Sequence, residues 1–185
     1  MGIHAPRIGD IADLFVRELV TAVAPKHPHF VVRTMPRADR QVRDRLLAQG
    51  FSPISLKFFP GFLFVRFHPA QRLQIASLAG VHSIVGFAAQ PSPVDEEELE
   101  ALQRVIDAKL PVGPAPFPAL GRPCRFISGP LEGVRGIQMG PQQAPRVVLS
   151  LSLLQRSIAV EVEPEWVGPF LPTSVNNIPF NNIRK

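Results

Sequence analysis

Apolar and polar positions recur in short blocks along the chain, and the period of the blocks changes about two thirds of the way through. Phe30-Val-Val-Arg-Thr34 reads as a strand. Pro36 then opens a helical pattern in which Val42, Leu46 and Leu47 share a face, with Gly50 as the stop and the arginines mostly on the opposite side. Phe51 to Lys57 and Phe62 to Phe67 read as two strands joined by Pro60-Gly61, because proline pre-sets one dihedral and glycine permits positive φ at the next residue. A second helix is predicted over Ala70 to Ala79, opened by Pro69 and closed by Gly80, followed by a strand from Val81 to Phe87. A third helix runs from Asp95 to Lys109, its acidic first turn suited to the positive end of the helix dipole. The order β-α-β-β-α-β-α predicts an α/β plait over residues 29–109.

Residues 110–120 carry four prolines in eleven positions, which excludes regular helix and a central strand, and they read as a semi-rigid linker. Beyond them come short β-rich runs, Cys124 to Ser128, Arg135 to Met139, Val147 to Leu151 and Ile158 to Val162, separated by Gly-, Pro- and Gln-rich turns. Their β-branched residues favour strands, and the pattern predicts a small β-barrel over residues 121–170, making the chain α+β overall. Residues 1–28 form an N-terminal extension with one amphipathic stretch, Ile11 to Val20, and residues 171–185 lack periodicity and are expected to be a mobile tail.

At 185 residues the chain holds one ordinary domain or two small ones. With 45% apolar and 19% charged residues it reads as globular, neither disordered nor membrane-spanning. Met1 to Asp10 show no secretory pattern, and the single Cys124 rules out an internal disulfide, so a cytoplasmic home is the simplest expectation. The net charge of +5 is modest, and its distribution says more than its sum. Phe30 to Gly80 holds eight Lys and Arg against Asp39 and Asp44, whereas Gln90 to Asp107 holds six carboxylates against Arg104. One face thus suits nucleic acid while another repels it.

Lys57-Phe-Phe-Pro-Gly-Phe-Leu-Phe-Val-Arg66, after a unit opening Phe30-Val-Val-Arg-Thr, resembles the N-terminal domain of NusG-type transcription elongation factors, as does Ala79-Gly-Val-His-Ser-Ile-Val-Gly-Phe87 before an acidic helix. Arg125-Phe-Ile-Ser-Gly-Pro-Leu-Glu-Gly-Val-Arg-Gly-Ile137 resembles the KOW motif, with Gly129, Pro130, Leu131, Gly133 and Gly136 as its motif residues, which implies a five-stranded β-barrel over residues 121–170. The resemblance covers residues 29 to 170. Pro91-Ser-Pro-Val-Asp-Glu-Glu and the run Arg146 to Val162 look most like the specialised paralogues of the UpxY and RfaH kind, which implies antitermination of long operons.

The resemblance implies a first domain that docks on the clamp helices of the largest subunit of bacterial RNA polymerase and suppresses pausing and termination. Phe59, Pro60, Gly61 and Phe62 match the family's docking motif, with Phe in place of the usual Tyr at 62, and His29 stands where the family commonly has Trp. By alternation alone, Phe62, Phe64 and Val65 read equally as strand residues facing a core. Arg33, Arg37, Arg40 and Arg43 are candidates for the backbone of upstream DNA, since guanidinium binds phosphate bidentately, the alternative being a solvated helix face. The stretch between Phe51 and Phe59 is shorter than the family's basic hairpin, which removes the contacts that the hairpin makes. Leu153, Leu154 and Arg156 fall on the loop through which family barrels bind a ribosomal small-subunit protein or the terminator Rho; a leucine pair in so small a barrel also reads as core.

Signs of catalysis are weak. His4, His27 and His29 lack a third ligand at metal spacing, Glu96, Glu97, Glu98 and Glu100 point in different directions from one helix, and Cys124 has no CxxC or His partner. The expectation is therefore a monomeric binding factor, not an enzyme, with no cofactor, no metal and no membrane association. An RNA-binding module of the ribosomal KOW type, independent of polymerase, is the alternative, and an enzyme built on the plait is the third reading.

Overall fold

The computed structural model describes residues 27–87, 90–117, 119–141 and 145–170. The helix expected over Ile11 to Val20 and the tail from Leu171 lie outside the described residues.

In the first half, β1 (His29–Thr34), β2 (Ile54–Ser55), β3 (Phe62–Arg66) and β4 (Val81–Ile84) form an antiparallel sheet in the order β2-β3-β1-β4. Alternation along β1 sends Phe30 and Val32 to one face and Val31 and Arg33 to the other, and the register sets Phe64 of β3 opposite Val31 and Phe62 opposite Arg33. The first face is covered by α1 (Asp39–Ala48) and α2 (Arg72–Ala76), whose Val42, Leu46 and Ile75 pack with Phe30, Val32, Leu63 and Val65. The second face, with Val31 and Phe64, packs against Leu99, Leu102 and Val105 of α3 (Glu96–Asp107). Asp95 caps α3, its carboxylate accepting from the backbone N–H groups of Glu97 and Glu98. A two-strand ladder, β5 (Gly86–Phe87) with β6 (Gln90–Pro91), leads into that helix.

The second half is an antiparallel sheet of six strands: β7 (Val112–Ala115), β8 (Arg122–Phe126), β9 (Arg135–Met139), β10 (Arg146–Leu151), β11 (Arg156–Glu161) and β12 (Val167–Pro169), in the order β12-β8-β9-β10-β11-β7. Two glycines, Gly136 within β9 and Gly129 in the loop after β8, are dictated by space. A Cβ on Gly136 would come 2.4 Å from Val147 Cγ1, and Gly129, at φ +80°, has the Trp166 indole 2.7 Å from where its Cβ would stand.

Several expectations are corrected. The second sheet has six strands and not five, and residues 112–115 of the expected linker form its edge strand β7, with Pro114 opposite Ile158 of β11. Proline is compatible with an edge because only one side of such a strand is paired. α1 starts at Asp39 and not Pro36, since Arg37 sits at φ +63°, which no α-helix admits. Leu47 does not share the buried face: it is 53% exposed, one residue round from Leu46. Of Phe51 to Lys57 only Ile54–Ser55 pairs as strand. The helix expected over residues 70–79 is a 3₁₀ turn, Pro69–Gln71, followed by the five residues of α2. The strand expected over Val81 to Phe87 divides into β4 and β5 at Val85, whose N–H donates to the Val31 carbonyl at 2.8 Å while its carbonyl accepts from the Ser92 N–H at 3.1 Å.

Candidate functional site

The Phe59-Pro60-Gly61-Phe62 turn is held from two directions. Gly61, at φ +84°, donates its N–H to Asp39 Oδ2 at 2.9 Å, and its carbonyl accepts from the Thr34 N–H at 2.9 Å. The Thr34 hydroxyl donates to Asp39 Oδ1, so the first residue of α1 fixes β1 and the turn together. The turn delivers its two aromatics to the second face of the first sheet, where their exposures differ. Phe59 is 1% exposed, inside a core shared with residues of both halves, and Phe62 is half-buried at the margin of that core.

That core is continuous. Leu56, Phe59, Phe64, Leu102 and Val105 belong to one cluster with Phe126, Val147, Leu149, Leu151 and Ile158 from β8, β10 and β11. Around it the halves make specific polar contacts. The Ser152 backbone N–H donates to Glu98 Oε2 at 2.9 Å and its hydroxyl to Glu98 Oε1. Arg104 Nη2 donates to the carbonyls of Pro130 and Glu132 at 2.8 and 2.9 Å. The Arg156 guanidinium stands 5.1 Å from the centroid of the Phe62 ring, in cation–π range. Leu153 and Leu154 are half-buried against the same cluster, and Gln155 closes their turn at φ +50°. An open cleft of ≈ 470 Å³ remains between Phe58 and Phe59 on one side and β7 and the start of β11 on the other. A second, of ≈ 650 Å³, separates the acidic side of α3 from β8, β9 and β10.

The structure therefore brings together two groups expected to serve separate partners: Phe59 and Phe62 of the first half, and Leu153, Leu154 and Arg156 of the second. His29 is also buried, at one end of β1. Its backbone N–H donates to Glu96 Oε1 at 2.9 Å, its Nδ1 lies 2.9 Å from Glu96 Oε2, and Arg66 Nη2 donates to the same oxygen at 2.7 Å. With Nδ1 turned to the carboxylate, Nε2 is left to accept from Arg66 Nε at 3.2 Å, which suits a neutral ring. Burial pushes the His29 pKa below its ordinary value, Arg66 adds to that, and Glu96 only partly offsets it. Burial works to raise the Glu96 carboxyl, but hydrogen bonds from the His29 backbone and ring, with the charges of His29 and Arg66, leave it below its ordinary value.

The four candidate arginines do not form one group. Arg33 shares the second face of the sheet with Phe62, directly opposite it, whereas Arg40 and Arg43 ride on α1 over the first face. Arg43 is paired with Asp44 at 3.1 Å; Arg33, Arg37 and Arg40 are exposed and form no ion pair among the described residues. Of the motif glycines, Gly129 and Gly136 serve turn and packing, and Leu131 is fully buried between them. Cys124 is buried, its thiol donating to the Gly136 carbonyl at 3.4 Å, and burial pushes its pKa up to about 11. That keeps it protonated and poorly nucleophilic. Among the described residues no three His, Cys, Asp or Glu cluster as metal ligands, and no helix is long and apolar enough to cross a membrane.

The sequence shows the carboxylates of α3 only as an acidic helix start, yet Glu96 ties α3 to β1 and β3, and Glu98 ties it to the second half. A carboxylate at a helix start was visible; its partners, 22 and 54 residues away for Asp39 and Glu98, were not.

Comparison with known proteins adds a family and a fold. No curated protein matches the chain. A solved structure described as "Domain interaction in Thermotoga maritima NusG" aligns at a TM-score of 0.51 and 22% identity, covering 76% of this chain and 95% of that one. A chain of the MjSpt4:Spt5 complex in conformation B aligns over the same shares at 17% identity, with a TM-score of 0.33. The family model described as transcription termination factor nusG matches residues 28–103, less than half of the chain. Over those residues the first half is similar to the NusG family.

Proposed function

We propose that this protein is a transcription elongation and antitermination factor, a binding protein without catalysis, whose first domain docks on the clamp helices of bacterial RNA polymerase through the face that carries Phe59 and Phe62. The family match over residues 28–103 supports the polymerase as partner. The observation that carries the reading furthest is the contact of Arg156 with Phe62, with the Leu153-Leu154 turn packed on the core that both halves share. Each candidate binding surface covers the other, so docking on polymerase and recruitment of a ribosomal protein or Rho both require the halves to part. Arg33, beside Phe62, then faces upstream DNA. Buried aromatic anchors ringed by polar contacts are the usual energetic centre of a protein interface, and here they serve inside one chain first.

The test is capture of core polymerase by the full chain. Glu98→Ala with Arg156→Ala removes two of the polar contacts that hold the halves and leaves that of Arg104, and should raise capture severalfold over wild type. Adding Phe62→Ala to that background should abolish the gain. Equal capture by all three proteins would overturn the docking face, and no capture by any of them would favour an RNA-binding module independent of polymerase.

A further inference from the structure

The cleft of ≈ 650 Å³ beside α3 belongs to neither candidate docking surface. It exists because the halves are in contact: α3 supplies one wall, and β8, β9, β10 and the turn that carries Glu132 supply the other. Its apolar strip is made by Ala101 on the first side and by Val134, Ile137 and Leu149 on the second. Around that strip the carboxylates of Asp95, Glu97, Glu98, Glu100 and Glu132 outnumber the guanidinium groups of Arg104 and Arg135. Both guanidinium groups are engaged: Arg104 donates to the carbonyls of Pro130 and Glu132, and Arg135 stands 5.0 Å from the centroid of the Phe170 ring. Asp95 caps α3 and Glu98 accepts from Ser152, whereas Glu97, Glu100 and Glu132 are exposed and form no ion pair among the described residues. The cleft is therefore an apolar strip inside an uncompensated negative field.

Phe170 lines this cleft and is the last residue described. The sequence after it, Leu171 to Lys185, carries apolar residues at Leu171, Val175, Ile178, Phe180 and Ile183, cations at Arg184 and Lys185, and no Asp or Glu. Pro172 and Pro179 oppose a helix, which suits a segment that lies extended in a groove. Length is no obstacle, because extended chain covers about 3.3 Å per residue and the segment starts at the cleft itself.

We propose that residues 171–185 of the same chain dock in this cleft, with apolar side chains on the strip and Arg184 and Lys185 among Glu97, Glu100 and Glu132. A cationic segment of another protein would meet the same chemistry, but one tethered at the rim acts at an effective concentration on the order of millimolar and excludes it. The charges set which segment enters, and the apolar residues hold it, since exposed ion pairs alone contribute little. A segment docked there touches α3 and the second sheet at once, so it clasps the halves and has to leave before they part. That last consequence rests on the opening proposed above; the docking rests on the contact between the halves alone.

The test is paramagnetic relaxation in the isotope-labelled full chain, with a nitroxide on Asn182→Cys in a Cys124→Ser background. Amide signals of Glu97 to Ala101 and of Val134 to Ile137 should lose more than half of their intensity, and those of α1 and β4 should keep theirs. Arg184→Glu with Lys185→Glu should recover the intensity about twofold, as should Glu97→Lys with Glu100→Lys. Combining the four substitutions restores opposite charges and should bring the broadening back, an outcome that damage to the fold does not produce. Spectra with the nitroxide reduced check the fold of each variant. Wild-type signals that stay sharp around the cleft would overturn the proposal and leave the cleft to a basic segment of another protein. Broadening that ignores both charge reversals would overturn it too, as would equal broadening when the label is carried only by a second, isotopically silent copy. Polymerase plays no part in the readout, so failure here leaves the docking reading untouched.

Discussion

The two faces of the first sheet are built from the same four strands, yet one closes on itself and the other does not. On the first face, Phe30, Val32, Leu63 and Val65 are covered by Val42, Leu46 and Ile75, all within one stretch of chain. On the second, Val31, Phe59 and Phe64 find their cover in α3 and in strands of the other half, as far along as Ile158. The difference separates what makes the first half fold from what joins it to the second. A face completed locally is committed to structure, whereas a face completed by a separable element is available to exchange that element for a partner.

The largest effect that tests this comparison is truncation in the shared core. Phe59→Ala should cost about 3–5 kcal/mol. Because the single tryptophan, Trp166, packs against the shared cluster from the second half, its fluorescence in urea should report the loss although the substitution lies in the first half. A transition at Trp166 that ignores Phe59→Ala would mean that the halves are independent.

A smaller effect separates the second sheet's own packing from the shared core. Gly129→Ala strains a φ of +80° and drives a Cβ into the Trp166 indole, and should cost about 1 kcal/mol or more. It should shift the same fluorescence transition and leave the far-UV signal of the helices in place. Equal loss of both would merge the two sheets into one cooperative unit.

The smallest effect is a pH dependence confined to the join of β1, β3 and α3. The folded pKa of His29 lies below its ordinary value of 6.5, so the unfolded chain takes up a proton there before the folded one does. Stability is therefore fully present above 6.5 and declines as the pH falls through the lowered value. Glu96, below its ordinary 4.5, adds a loss of the same sign at more acid pH, reduced by its exposure to solvent. Urea midpoints measured across this range should fall on acidification in wild type and fall less in His29→Gln; a midpoint that rises would contradict the buried neutral ring.

Much of the first half was legible because its signals are local. Pro60-Gly61 marks the turn, Asp95 and the glutamates after it mark the start of α3, and short continuous apolar runs mark β1 and β3, which are buried on both faces. The elements that were missed depend on distant partners. Val112-Gly-Pro-Ala115 carries no strand pattern of its own and becomes one because β11 offers an unpaired edge. Val167-Gly-Pro169 does the same against β8. The candidate site was half legible: the motif residues could be named, but nothing in their spacing announced that Phe62 would meet Arg156, 94 positions away, or that Glu98 would meet Ser152. Long-range pairing of that kind is decided by tertiary packing, to which propensity is blind.

The central claim is that the two candidate binding surfaces lie against each other in one chain. It is tested most directly by nuclear Overhauser effects in the full-length protein between the Phe62 ring and the Arg156 side chain, and between Ser152 and the side chain of Glu98. Both sets should be present in wild type. Wild-type spectra in which Phe62 shows contacts only to its own half would contradict the account.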